Sequence, residues 1–290
     1  MRIKKETGYF NSFDGNKTYF EVRGEGEPII MAYGLACQFN HWVHQVNYFS
    51  KNNYKTILFD YRGHHNTATP IQEENLSIAA IAKDISLLCH HLDIQKAHFF
   101  GHSLGVPILL KTYEHYPEFF KSLVFVNGFV RNPIKGMFGI TDFLEQFFYL
   151  FKQGHHEAPH ITTAIWKRLL LNPLAGPSLS LAGGFNFSLT ALKDIEIYTR
   201  GVSLVDLDVF TTLFEDMLHY DGEGILPSIT CPTLVVSGEK DAVTPREHQD
   251  VMLEKIPNSE LLNVPYGSHC TQLDFPEFVN LRVEKFFSKI

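Results

Sequence analysis

At 290 residues, with 44% apolar and 20% charged residues, the chain is long enough for one α/β domain with a full core, or for two small domains, and too apolar for a disordered chain. A formal charge of −7 leaves no basic footprint for nucleic acid and argues against an anionic membrane surface as a partner. No apolar run is long enough to span a bilayer, and Met1-Arg2-Ile3-Lys4-Lys5-Glu6 lacks the apolar core of a secretory signal; with no C-x-x-C spacing among Cys37, Cys89, Cys231 and Cys270, a reduced, cytoplasmic setting is expected.

Residues 9–13 and 18–22 flank Asp14-Gly15-Asn16, a hairpin turn signal. Pro28 leads into Ile29-Ile30-Met31-Ala32-Tyr33, a continuous apolar run suited to a strand buried on both faces. Residues 55–60 form a second such run, ending in Asp60-Tyr61-Arg62-Gly63-His64. Ile78, Ile81, Ala82, Ile85 and Leu88 then recur at helical period. Residues 97–100 and 122–126 are the third and fourth buried runs, with an amphipathic stretch, 106–116, between them. Residues 233–237 and 260–264 complete the set. Buried strands alternating with helices predict an α/β fold, a mostly parallel sheet with helices on both faces.

The stretch 129–226 breaks this alternation. It is dense in aromatic residues (Phe143, Phe147, Phe148, Tyr149, Phe151), and Trp166, Leu169 and Leu170, then Phe210, Leu213, Phe214, Met217 and Leu218, recur at helical spacing. Pro133, Pro159, Pro173 and Pro177 punctuate it. The expected organisation is a core of 1–128 and 227–290 with a helical cap inserted at 129–226. Most of its aromatic stripes are expected to serve ordinary core packing.

The chemistry concentrates at Gly101-His102-Ser103-Leu104-Gly105. Strand, sharp turn, serine, helix is the context in which Gly-x-Ser-x-Gly forms a nucleophile elbow. Side chains at 101 or 105 would collide with the neighbouring strand or helix. The following helix aims its N-terminal N–H groups at the same spot, where charge on an attacked carbonyl oxygen would be stabilised. On the pentapeptide alone, a tight strand–helix turn with an idle serine stays open as the minority alternative. A serine nucleophile needs a base, and the base an orienting carboxylate. Asp241 follows the strand at 233–237 and His269 follows the strand at 260–264, so both fall on loops at strand C-terminal ends, where sites of parallel sheets gather. Singly, Asp241 could cap the helix after Pro245 and His269 could be a surface histidine. Together, in the order Ser103, Asp241, His269, they make a catalytic set.

These segments, with Asp60-Tyr61-Arg62-Gly63-His64, Gly238-Glu239-Lys240-Asp241 and Gly267-Ser268-His269, resemble the α/β-hydrolase superfamily, in its branch of esterase-like serine hydrolases with a helical cap. The resemblance covers nearly the whole chain. It implies that Ser103 attacks, His269 shuttles the proton, Asp241 orients His269, and water hydrolyses an acyl-enzyme. It also implies an oxyanion hole from the backbone N–H groups of Leu104 and Leu35. Where the family has His-Gly, this chain has Tyr33-Gly34, which touches loop anchoring and substrate access rather than the donor itself. His65 stands where the family has a glycine, so that turn is expected to differ. His64 and His102 are expected to support structure, and Trp42 to pack.

No cofactor is required by this mechanism. The adjacent histidine pairs (64–65, 90–91, 155–156) point apart, and neither H-E-x-x-H nor a Cys/His ladder is present, so no metal site is expected. The expected partner is a small apolar ester, with no nucleic acid and no stable membrane insertion; the oligomeric state is left open. Cleavage of a C–C bond, amide or lactone, peracid formation, and a non-catalytic small-molecule receptor remain open alternatives.

Overall fold

The computed structural model describes residues 3–134, 141–175, 177–178 and 184–290. Eight strands form one sheet. They are β1 (Lys5–Asn11), β2 (Lys17–Arg23), β3 (Glu27–Ala32), β4 (Tyr54–Phe59), β5 (Ala97–His102), β6 (Phe120–Val126), β7 (Thr233–Gly238) and β8 (Ser259–Val264), in the spatial order β1-β2-β4-β3-β5-β6-β7-β8. The hairpin β1–β2 and the pair β2–β4 are antiparallel. All other pairs are parallel. Every residue of β5 and β7 is buried, as central strands covered on both faces must be. The covering helices are α1 (Val43–Phe49), α2 (Ile78–His91), α3 (Gly105–His115), α8 (Arg246–Lys255) and α10 (Pro276–Phe287), with a one-turn α9 (Thr271–Asp274) before α10. Local chemistry sets several boundaries. Ser77 accepts the Ala80 N–H at the start of α2, and Pro276 occupies the first turn of α10.

The segment Asp60-Tyr61-Arg62-Gly63-His64 works as a structural joint. Arg62 is fully buried and donates to Asp84 Oδ2 and Oδ1 (2.7 and 2.8 Å) and to Asp14 Oδ2 (2.6 Å), tying the β1–β2 turn to α2. Two carboxylates around one guanidinium keep this charge compensated away from water. Tyr33 anchors the same region. Its hydroxyl donates to Asp60 Oδ1 (3.4 Å) and accepts from the Tyr61 N–H (3.0 Å), while the Tyr61 hydroxyl donates to the Tyr33 carbonyl (2.8 Å).

Between β6 and β7 the described residues carry four long helices: α4 (Thr141–Glu157), α5 (Pro159–Leu170), α6 (Leu192–Leu204) and α7 (Leu207–His219). Parts of 129–226, at 135–140, 176 and 179–183, lie outside the described residues. Most of the stripes of this segment pack as expected, with Trp166, Leu170, Phe210, Leu213, Phe214 and Met217 against the main core, while part of α4 departs from that expectation. Phe148 is buried against Ile134 and Leu218, but Phe143 and Phe147 are 66% and 58% exposed. Apolar residues surround α4 on more than one side, whereas a helix lying on a core buries a single stripe. Phe210 and Phe214 stack at 5.9 Å, and Trp166 closes on Phe210 at 4.9 Å.

Candidate active site

The elbow forms because the backbone leaves no alternative. Ser103 sits at φ 52°, a left-handed conformation that costs a non-glycine residue energy and is held by its surroundings. Its N–H donates to the Val126 carbonyl (3.2 Å). A Cβ on Gly105 would lie 2.3 Å from the carbonyl oxygen of Ala32 on β3, so α3 can start this close to the sheet only with glycine there.

Asp241 and His269 meet at 3.1 Å, His269 Nδ1 to Asp241 Oδ2. Their loops press together: a Cβ on Gly238 would stand 2.4 Å from the Ser268 carbonyl oxygen. The other carboxylate oxygen, Asp241 Oδ1, accepts the N–H groups of Val243 (2.9 Å) and Thr244 (3.0 Å), which fixes the carboxylate's orientation. Ser103 is 9% exposed and His269 6%, so the set is almost closed to solvent. No hydrogen bond joins Ser103 Oγ to His269 among the described residues; such contacts are commonly loose without substrate. His102, next to Ser103, places its ring 4.7 Å from that of His269.

The N–H groups of Leu35 and Leu104 have no hydrogen-bond partner among the described residues. The loop carrying Leu35 is pinned from below by the two histidines that follow Gly63. The Ala36 N–H donates to His64 Nε2 (3.2 Å), leaving Nδ1–H for the Arg62 carbonyl (3.0 Å). His65 Nε2 donates to the Cys37 carbonyl (2.8 Å), and Gln38 donates to His65 Nδ1 (3.2 Å). His65 adopts φ 45°, so the turn keeps a glycine-like backbone while gaining an imidazole that holds the loop carrying Leu35. Burial pushes His64 down to about 4, keeping its Nε2 lone pair available. Trp42 is fully buried and packs edge-on against Phe100 at 6.0 Å.

Three further residues organise the site. Asn127, directly after β6 and at φ 45°, donates from Nδ2 toward the Ser268 carbonyl (2.9 Å), the His269 carbonyl (2.7 Å) and Thr271 Oγ1 (2.8 Å). Its Oδ1 accepts the Gly238 N–H (2.8 Å), so one side chain joins the Asp241 and His269 loops. Thr244 Oγ1 lies 2.7 Å from Asp241 Oδ2 and 3.2 Å from His269 Nδ1. His102 Nε2 donates to the His269 carbonyl (2.9 Å). Asn127 and Thr244 carry no motif; their only trace in the sequence is an asparagine at a strand end and a hydroxyl three residues after Asp241.

The segment 184–204 lies over these loops. Asn186 donates to the Tyr266 carbonyl (2.9 Å), Ser268 Oγ donates to the Gly184 carbonyl (3.3 Å), and His44 Nε2 pairs with Asp194 on α6 (3.0 Å). Among the described residues, no helix is long and apolar enough to cross a membrane.

A model of the "alpha/beta hydrolase fold" matches residues 27–276. The chain is 25% identical to a "Putative carbamate hydrolase RutD" from Caulobacter sp. (strain K31), over 93% of this chain and 95% of that protein. Among solved structures it is similar to an esterase from Exiguobacterium antarcticum (TM-score 0.76, 20% identity, 96% and 98% of the two chains). It is also similar to a bromoperoxidase from Bacillus anthracis (TM-score 0.78, 17% identity, 98% and 100%). By this match over most of its length, the chain belongs to the α/β-hydrolase family and is a hydrolase.

Proposed function

We propose that the protein is a serine hydrolase that cleaves a carboxylic ester with an apolar part through an acyl-enzyme. Ser103 Oγ attacks the carbonyl carbon as His269 Nε2 takes its proton. The oxyanion that forms is met by the N–H groups of Leu35 and Leu104. His269 then protonates the leaving alcohol, and water repeats the sequence to release the acid. Asp241 holds the imidazole in the tautomer that presents Nε2 to Ser103. The helices of 129–226 serve as a cap and supply the apolar surround. The expected setting is cytoplasmic.

The observation that carries this reading is the 3.1 Å contact of His269 Nδ1 with Asp241 Oδ2, on the loops after β7 and β8. The test is hydrolysis of p-nitrophenyl esters from acetate to palmitate by the wild type and Ser103→Ala. A rate that disappears in Ser103→Ala, with an optimum in chain length, supports the reading. A rate equal in both proteins contradicts it.

A second reading is favoured by one observation, the carbamate hydrolase name of the Caulobacter relative. The same groups would then release an amine or ammonia from a carbamate or amide. Comparing kcat/KM on matched ester and carbamate substrates separates the two.

A further inference from the structure

Behind the nucleophile turn, the fold gathers three side chains that lie far apart in the sequence. His41 is on the helical turn Phe39–Trp42, His102 ends β5, and Cys270 precedes α9. One ligand atom of each lies within 4.8 Å of the others, and all three residues are buried. The adjacent histidine pairs that stand out in the sequence lie elsewhere. This cluster is assembled only by the strand order.

The nitrogens are poised for a ligand. Because His102 Nε2 donates to the His269 carbonyl, its lone pair is on Nδ1, which is buried without a partner among the described residues. His41 Nδ1 is equally buried and unpartnered, while its Nε2 meets the side-chain amide of Gln272. Gln272 Oε1 is itself unpartnered, so turning that amide over lets it accept from His41 Nε2–H and frees the Nδ1 lone pair.

We propose that His41, His102 and Cys270 form a binding site for one Zn²⁺-like cation. Two imidazoles and a thiolate suit a tetrahedral, thiophilic d¹⁰ ion. With Zn–N and Zn–S bonds of about 2.0–2.3 Å, the ligand atoms must stand roughly 3.5 Å apart, so the side chains draw in by about 1 Å. On binding, the Cys270 S–H bond breaks, its proton goes to solvent and an S–Zn bond forms; no electron is transferred. Burial opposes the free Cys270 thiolate, so the cation supplies the stabilisation that ionisation needs.

The test is an anaerobic titration of the reduced, full-length protein with Co²⁺ as the optical stand-in, reading the thiolate-to-cobalt charge-transfer band, followed by displacement with Zn²⁺. One equivalent producing a band that Zn²⁺ removes, and that Cys270→Ala lacks, supports the site. No thiolate band in the wild type, or an equal band in folded Cys270→Ala, overturns it. Should Cys270→Ala fail to fold, Gln272→Ala decides: weakening of binding by roughly 10–100-fold is expected for a lost ligand support, and an unchanged titration contradicts the site. The band is read without turnover, so it stands or falls independently of the hydrolase reading.

Discussion

His102 Nε2 donates to the backbone carbonyl of His269 at 2.9 Å, so the residue before the proposed nucleophile holds the loop of the proposed base. The elbow and the histidine loop are thus one mechanical unit. His102 acts as a positioning residue, since its Nδ1 reaches no acceptor among the described residues and its ring stays neutral. His102→Phe keeps the volume and removes the bond. The expected outcome is a fall in kcat larger than the change in KM, with a normal near-ultraviolet circular dichroism spectrum. An unchanged kcat would show that the His269 loop needs no such support.

Asn127 joins four groups on the two loops that carry Asp241 and His269. Asn127→Ala strands buried carbonyls and an N–H, each costing about 1–3 kcal/mol when unpaired. Destabilisation of roughly 2–4 kcal/mol is expected by urea unfolding. Rate should fall as well, because the Asp241–His269 contact loses its frame. Loss of under ~0.5 kcal/mol would mean that the loops hold themselves.

Thr244 and Asp241 both approach His269 Nδ1, and the charge decides which one matters. A carboxylate stabilises the imidazolium of the transition state; a neutral hydroxyl does so weakly. Asp241→Asn is expected to lower kcat by on the order of 10⁴, as loss of the correct tautomer does in serine proteases. Thr244→Val should cost a few-fold. The reverse ranking of kcat in these two variants would reassign the orienting group.

The strand pattern and the three loops bearing Ser103, Asp241 and His269 were readable from sequence, because buried parallel strands are apolar throughout and their C-terminal ends are marked by glycines. Strand ends were less so: β5 runs on to His102, and β6 begins at Phe120, since the β5–β6 pairing, Ala97 with Phe120 and His102 with Val126, extends them past the apolar run. Asn127, Thr244 and the support from His65 to the loop carrying Leu35 were not readable. Their roles depend on contacts between loops, for which sequence spacing gives no signal. Likewise, only the fold shows that Phe143 and Phe147 face outward while Phe148 faces Leu218.

Buried neutral histidines set an acid limit to stability. Burial pushes His41 down to about 3, and His64 and His98 to about 4. The unfolded chain takes up protons near pH 6.5 that these native rings refuse. Their contribution is therefore intact above about pH 6.5 and is lost as pH falls toward 4, at up to about 1.4 kcal/mol per pH unit for each ring. Burial raises Asp60, Asp84 and Asp274, which works in the opposite direction, but from the lower carboxylate range. Urea unfolding at pH 7.5 and pH 5 is expected to show lower stability at pH 5. Equal or greater stability at pH 5 would contradict a net acid limit set by these rings.

Tyr33 comes just before Gly34 and Leu35, and its hydroxyl ties this loop to Asp60 and Tyr61. Tyr33→Phe leaves the buried Tyr61 N–H without its acceptor, at about 1–3 kcal/mol. Thermal unfolding should show a lower Tm with the fold retained. A Tm equal to wild type would mean that ring packing alone anchors the loop.

The central claim is that Ser103 is the nucleophile, and covalent capture tests it without choosing a substrate. The protein is incubated with an alkyl fluorophosphonate, its intact mass is measured, and the adduct is mapped by peptide sequencing. One adduct, on Ser103, absent from Ser103→Ala and slowed in His269→Ala, is the predicted result. An adduct on another residue, or no adduct from a protein that hydrolyses esters, would contradict it.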